Sequence, residues 1–175
     1  MSRNDSQAWF SINSFCEVAD IGVDELYKKS KLLLEIYRDV CWKTVRRCDI
    51  LKEEMSFYGG GQLDQALIYL EEFVPEGTKR NFAENIQSLF ETSWLIELVD
   101  STIVRVKDFP DGNGDIYFEI LSKYYLSKFK YTEREMLDIL NLERSRFYDR
   151  KKEAILLFGE ILWGTSIPYF KDLMI

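Results

Sequence analysis

Two long stretches of this chain repeat an apolar residue at every seventh position. The repeating residues of the first stretch are Tyr27, Leu34, Cys41, Cys48 and Met55. Those of the second stretch are Phe82, Leu89, Ile96 and Ile103. A seven-residue spacing keeps these side chains on one side of a helix, where a second helix can cover them. The repeats therefore predict long packed helices and an all-α fold, although the first seam also contains the polar residues Ser30 and Thr44.

Capping and turn residues mark the ends of both predicted helices. Asp24 can cap the first helix, which we expect to run to about residue 57, and Thr78 can cap the second, which we expect to end near Lys107. Three consecutive glycines at 59–61 and a short helix over about 63–73 connect them. Similar lengths and a short connection predict a long antiparallel helical hairpin over 24–110, with a coiled-coil dimer as the alternative. Residues 1–23 are predicted to form a loosely ordered lead-in.

The segment FPDGNG at 109–114 is the clearest break in the chain and predicts a domain boundary near residue 110. Asp111, Asn113 and Asp115 alternate in the manner of a calcium loop. An EF-hand loop would continue with Gly and Glu at the positions of Ile116 and Ser122, so we interpret the segment as a turn without a metal. Residues 111–175 then form the second region.

Within this second region, the sequence predicts two helices joined by a tight turn between about 130 and 158. Thr132 and Glu135 match a capping box at the start of the first helix, and Met136, Ile139 and Leu140 form its inner side. Asn141 suits the left-handed conformation that ends such a helix. The second helix contains five basic residues and one acidic residue between 144 and 152, whereas the whole chain has a net charge of −7. This is the outline of a helix-turn-helix, whose second helix enters the major groove of DNA.

Helical geometry selects the side chains that would contact DNA. Bases are read mainly from the start of the second helix, so Arg146 is the candidate for a bidentate contact to guanine, with Ser145 and Asp149 as secondary readers. The candidate phosphate contacts are Arg150, Lys152, Lys128, Lys130 and the helix start at Thr132. Arg144 and Lys151 point toward the inner side of the helix and receive no assignment.

The composition argues against an enzyme. The chain has no histidine, which removes the Ser-His and Cys-His nucleophile systems and the commonest metal ligand. Cys16, Cys41 and Cys48 lack the CxxC spacing of a metal site, and small core residues in a reducing compartment are the better interpretation. No apolar run approaches the roughly 18 residues of a membrane span, and the N-terminus lacks the apolar centre of a secretory signal. We expect a cytoplasmic, non-enzymatic protein that needs no cofactor and no metal.

Three segments carry a likeness to a known family. They are EILSKYY at 119–125, YTEREMLDILNLERSRFYDRKKEAI at 131–155 and LFGEILWG at 157–164. They resemble small phage and mobile-element transcriptional regulators of the ArpU type, which are related to the promoter-reading C-terminal domain of sigma factors. The resemblance covers about the last third of the chain and implies a sigma-region-4-like helix-turn-helix in a sequence-specific regulator of a bacterial host. The chain departs from the family at Glu143, where a serine usually caps the recognition helix.

The expected partners follow from this interpretation. Double-stranded DNA is the principal one, RNA polymerase is a second candidate, and reading a pseudo-palindromic site would favour a homodimer over a monomer. Two other functions stay open. The first is a protein-interaction module in which a degenerate helix-turn-helix serves only for packing and the acidic hairpin is the working surface. The second is a phage packaging or replication accessory protein.

Overall fold

The computed structural model describes residues 6–38, 93–127 and 129–172. Every regular element in these ranges is helical, and none of the described residues lies in a strand, which confirms the all-α class for this part of the chain. The first three helices are α1 (Gln7–Ala19), α2 (23–38) and α3 (Ser93–Lys107). Helix α4 (Gly114–Glu119) continues as a π-helical segment, Ile120–Leu126. Helices α5 (Glu133–Leu140) and α6 (Arg144–Ile161) follow, and a π-helical turn (Leu162–Ser166) leads into α7 (Ile167–Asp172).

Helix α1 replaces the loosely ordered lead-in that the sequence predicted, and that prediction is wrong for residues 6–23. Ser6 caps the helix by accepting a hydrogen bond from the Trp9 amide at 3.3 Å. The inner side of the helix buries Ala8, Trp9, Ile12 and Cys16. Apolar residues three to four positions apart form a helical stripe even among many polar neighbours. That stripe was overlooked because the segment is polar on average.

Helix α2 confirms the first part of the predicted seam. Ser30, Leu34 and Tyr37 are buried in it, and Tyr27 is half-buried. The helix begins two residues earlier than an Asp24 cap predicts, because the Leu26 amide bonds to the Gly22 carbonyl at 3.0 Å, so Asp24 lies in the first turn and is not the cap. The later positions of the first seam, the triple glycine, the short helix over 63–73 and the predicted second helix before residue 93 lie outside the described ranges, whereas α3 corresponds to the end of that second helix.

The described ends of the two predicted hairpin helices contact each other. The Tyr37 hydroxyl of α2 donates a hydrogen bond to Oδ1 of Asp100 on α3 at 2.7 Å. Burial raises the pKa of Asp100, while this hydrogen bond opposes the rise. The contact joins α2 and α3 directly.

Helix α6 is the centre of the core. Residues 153–159 are buried without interruption, because α1, α3 and α4 pack around this half of the helix. A Cβ added to Gly159 would lie 2.0 Å from the Ser30 hydroxyl oxygen of α2. The polar residue that interrupts the first seam therefore marks a close approach of two helices, where only small residues fit.

The turn at 109–114 is confirmed, but it does not separate two cores. Oδ1 of Asp111 accepts a hydrogen bond from the Asn113 amide at 2.8 Å, and Gly112 has a φ of 83°, a left-handed conformation that suits glycine. Helices on both sides of the turn contribute to one cluster of buried residues, with Val106 on α3, Tyr117 on α4 and Phe158 on α6. Within the described ranges, the predicted boundary near residue 110 is a turn inside a single core.

None of the helices in the described ranges is both long and apolar enough to cross a membrane.

Candidate nucleic-acid interface

Helices α5 and α6 are joined by a turn of three residues, 141–143, and the local signals for this turn are confirmed. Thr132 caps α5 by accepting a hydrogen bond from the Glu135 amide at 3.2 Å. Asn141 ends α5 in the left-handed conformation, with a φ of 51°, and donates its amide to the Leu137 carbonyl. The Leu142 amide reaches the same carbonyl at 3.3 Å. Two residues thus satisfy one carbonyl at the end of α5 and reverse the chain sharply.

A small core fixes the angle between the two helices. It consists of Ile120 of the π-helical segment, Met136 of α5 and Phe147 of α6, all fully buried. The rings of Tyr124 and Phe147 meet edge to face, 6.1 Å apart. Ile139, which the sequence placed on the inner side of α5, is instead 44% exposed. The π-helical segment therefore packs against both α5 and α6.

The first turn of α6 is also tied to the first turn of α5 by polar contacts. Glu133 accepts from Nε of Arg144 at 2.9 Å and from the Tyr148 hydroxyl at 2.5 Å. The Arg144 side chain is 73% exposed, so solvent screens this ion pair and it contributes little to stability. The ion pair instead fixes the relative position of the two helices, because the Glu133 carboxylate contacts two side chains of α6, Arg144 and Tyr148.

Ser145 and Arg146 stand where the sequence predicted them. Both are exposed in the first turn of α6, beyond the small core. Glu143 precedes them in an extended conformation, and its side chain makes no capping hydrogen bond. The Arg146 guanidinium has no hydrogen-bond or ion-pair partner among the residues that the structure describes. Asp149, one turn further on, is half-buried.

Arg150 does not face outward, which corrects its assignment as a phosphate contact. Its Nη1 atom lies 2.8 Å from Oε2 of Glu153, and the two side chains are only 22% and 3% exposed. The Tyr117 hydroxyl of α4 approaches the same Oε2 atom at 2.8 Å and Oδ2 of Asp111 at 2.9 Å. Because α4 covers Glu153, the carboxylate needs a cation beside it, and Arg150 supplies it.

Lys152 also turns away from the predicted DNA side. Its ammonium group lies 5.7 Å from the centre of the Trp9 ring and 6.0 Å from that of Tyr27. At about 100° per residue, Lys152 is roughly 120° around the helix from Arg146, and α1 and α2 occupy that side. These ring contacts replace the predicted phosphate contact of Lys152.

The remaining predicted phosphate contacts have different positions. Lys130 and Thr132 are exposed, just before and at the start of α5, and Lys128 lies outside the described residues. Lys151, left without an assignment, packs over the Tyr124 ring at 4.8 Å. Burial, and secondarily the charge of Lys31, lowers the pKa of Lys151. The predicted site thus reduces to Ser145 and Arg146 at the tip of α6, with Asp149, Thr132 and Lys130 at its edges.

Sequence reasoning did not identify Glu133 as a residue that positions α6. The capping box draws attention to Thr132 and Glu135, and nothing in the local pattern shows that Glu133 will reach the next helix. That contact exists only because the turn at 141–143 brings the two helix starts together.

Comparison of the chain with protein-family models, curated proteins and solved structures gives no match. In the described ranges, no group of three or more cysteine, aspartate or glutamate side chains is arranged to hold a metal ion.

Proposed function

We propose that this protein is a non-enzymatic regulator that binds double-stranded DNA sequence-specifically, with the start of α6 in the major groove. The arrangement of α5, the turn at 141–143 and α6 supports this proposal, as does the resemblance of 119–164 to ArpU-type regulators with a sigma-region-4-like helix-turn-helix. On this proposal the protein acts on phage or mobile-element genes in the cytoplasm of a bacterial host, and RNA polymerase is a candidate partner.

The main support for the proposal is that the Arg146 side chain is exposed and has no partner among the described residues. Arg144, Arg150 and Lys152 of the same helix each contact another side chain of the protein, whereas Arg146 has no such partner in the described ranges. The helix under it is held by Phe147 in the small core. An exposed guanidinium on a rigid helix start is suited to bidentate recognition of guanine.

The test begins with selection of bound duplexes from a random pool, followed by measurement of affinity for the selected sequence. Arg146→Ala should weaken this binding by roughly 5- to 150-fold, since a bidentate guanine contact contributes about 1–3 kcal/mol. The same variant should bind an unrelated duplex almost as well as the wild type does, because Arg146 reads bases. Lys152→Ala should have little effect on either duplex, given its contacts with two aromatic rings.

Arg105→Ala is the matched control. It removes the same charge from α3, where Arg105 stacks on Tyr169 at 5.4 Å, outside the predicted interface. Binding should also fall steeply as salt is raised, since phosphate contacts release counterions. The proposal fails if wild type does not bind duplex DNA at low salt, or if Arg146→Ala and Arg105→Ala behave alike.

A protein-interaction module is the second candidate function, and one surface favours it. Phe10 and Val18 on the outer side of α1 are 75% and 90% exposed. Exposed apolar residues concentrated on one helix are typical of interaction surfaces. Light scattering of wild type and a Phe10→Ser, Val18→Ser double variant would reveal whether this surface joins two copies of the chain, as a homodimeric regulator would require.

A further inference from the structure

We infer that a cavity between α2, the π-helical segment and α6 binds a phosphate group of an anionic ligand. The cavity has a volume of about 370 Å³, within the range of roughly 300–1,000 Å³ that is usual for small-molecule sites. It lies on the inner side of α6, away from the exposed Arg146. The inference uses residues that the proposed DNA contact does not need, Lys130 excepted.

Four cationic side chains converge on this cavity. Lys31 and Arg38 come from α2, Lys130 from the segment before α5, and Lys151 from α6. Glu35 is the one carboxylate among the described residues that line it. Its Oε1 atom is 3.9 Å from Nζ of Lys31, a loose and partly exposed pair. The described residues of the lining therefore carry a surplus of positive charge, which comes from α2, α6 and the chain before α5.

Arg38 holds the wall of the cavity in place. Its Nε atom donates to the Ser127 carbonyl at 2.8 Å, and its Nη2 atom donates to the Tyr124 carbonyl. Both carbonyls belong to the end of the π-helical segment or the residue after it. The guanidinium thereby joins the described end of α2 to this segment while it adds charge to the cavity.

Tyr125 contributes to the wall of the cavity but not to ligand binding. The residue is only 5% exposed, and its hydroxyl makes no hydrogen bond with the described part of the chain. The hydroxyl oxygen has almost no accessible surface, so a ligand in the cavity does not reach it.

Lys151 is the group that an anion would stabilise most. It is half-buried over the Tyr124 ring, and no carboxylate lies within ion-pair distance of it among the described residues. Burial and the neighbouring Lys31 both disfavour its charged form, and its pKa is lowered. An anion beside Lys151 and Lys31 would offset both effects at once.

Phosphate is the anion that fits these groups. A phosphate monoester carries about −1.5 to −2 charges near neutral pH and presents three acceptor oxygens, so it can bind several cationic side chains at the same time. A carboxylate has one charge and two oxygens, and a phosphate diester of a DNA backbone also has one charge and two free oxygens. Tyr124 and Tyr125 add aromatic surface for the organic part of an ester. The ligand that fits is therefore a small phosphate monoester.

The experiment is calorimetric titration of the full chain with inorganic phosphate and with phenyl phosphate. We expect both to bind, and phenyl phosphate to bind more tightly because of the two tyrosine rings. Lys151→Met should weaken binding about tenfold or more, since it removes a charge-assisted bond to the anion, whereas Tyr125→Phe should leave binding unchanged, because the Tyr125 hydroxyl is not accessible from the cavity. Circular dichroism and melting of both variants should match the wild type, because neither substitution breaks a described hydrogen bond.

Lys28→Met is the matched control, because Lys28 lies exposed on α2 and does not line the cavity. A duplex added as competitor tests whether a backbone phosphate occupies the cavity. If it displaces phenyl phosphate, the assignment to a small monoester is overturned; if it does not, the assignment stands. The inference is also overturned if neither probe binds up to about 10 mM, where even a millimolar Kd would register, or if Lys151→Met binds like Lys28→Met.

Discussion

Tyr117 and Tyr125 are two buried tyrosines whose hydroxyl groups have opposite surroundings, and this contrast gives a sharp test of the buried polar network. Tyr117 is fully buried, and its hydroxyl lies 2.8 Å from Oε2 of Glu153 and 2.9 Å from Oδ2 of Asp111. Tyr125 is 5% exposed, and its hydroxyl has no hydrogen-bond partner in the described ranges. Substitution by phenylalanine removes the same oxygen from both.

The expected loss for Tyr117→Phe follows from counting protons. One hydroxyl has one hydrogen, so it can donate to only one of the two carboxylates at a time. Glu153 keeps its ion pair with Arg150 in the variant. The loss is therefore that of one charge-assisted hydrogen bond, about 1.5–3 kcal/mol in the free energy of unfolding. For a chain of this length, about 2 kcal/mol corresponds to a fall in Tm of roughly 4–8 °C.

Tyr125→Phe should not lose stability. It breaks no described hydrogen bond, and it relieves the desolvation of an unsatisfied hydroxyl, so the free energy of unfolding should stay equal or rise by up to about 1 kcal/mol. Urea denaturation followed by circular dichroism measures both variants under the same conditions. Equal losses for the two variants would refute the assignment of the Tyr117 bond, as would a loss below about 0.5 kcal/mol for Tyr117→Phe.

Three further predictions concern other contacts of the core and the interface. Gly159→Ala should destabilise the protein by about 1–3 kcal/mol in urea denaturation, because its Cβ would collide with Ser30, and adding Ser30→Ala should restore part of that loss. Burial raises the pKa of Glu160, so its stabilising effect is complete below its ordinary pKa and is lost as the pH rises through the raised value. Glu160→Gln should therefore be more stable than wild type at neutral pH, and the difference should vanish in unfolding curves near pH 4. Glu133→Gln should cost at most about 1 kcal/mol and tighten DNA binding a few-fold in anisotropy titrations, since it removes a negative charge beside Arg144.

Each of these predictions has an outcome that contradicts it. If the stability losses of Ser30→Ala and Gly159→Ala are simply additive in the double variant, the close approach of α2 and α6 is not the cause of the Gly159→Ala loss. A stability difference for Glu160→Gln that is independent of pH would mean that the ionisation of this carboxyl is not what destabilises the fold. Weaker DNA binding by Glu133→Gln would show that its contacts with Arg144 and Tyr148 matter more than its charge.

Local signals in the sequence were reliable where neighbouring residues determine the structure. The cap at Thr132 and the left-handed turn at Asn141 were predictable, because each depends on a side chain or a backbone conformation within a few residues. The class of the fold was predictable from the seven-residue repeats for a similar reason. Helix α1 shows the limit of composition, since a polar segment with a four-residue stripe was taken for a loose lead-in.

Contacts between distant segments were not predictable, and they decided most of the errors at the interface. A helical wheel treats a helix as having one outer side along its whole length. In α6 the surroundings change near residue 152, because α4 covers Glu153 and α1 approaches Lys152. Because the helical wheel does not show this change, it wrongly placed Arg150 and Lys152 on the exposed side of the helix. The phosphate cavity was invisible as well, because its lining joins α2 to residues about 90 to 120 positions later in the sequence.

The two halves of α6 tolerate amino-acid substitutions to very different degrees. Ser145 and Arg146 project from the first turn without supporting any other helix, whereas residues 153–159 are enclosed on every side. Substitutions at the tip can alter what the protein recognises and leave its folding intact. Substitutions at 153–159, seven to fourteen positions later, alter folding before they alter recognition. Under the proposed function, new specificities could be obtained by exchanging the exposed residues of one helical turn, while transplanting the whole helix into another scaffold would remove the centre of the core.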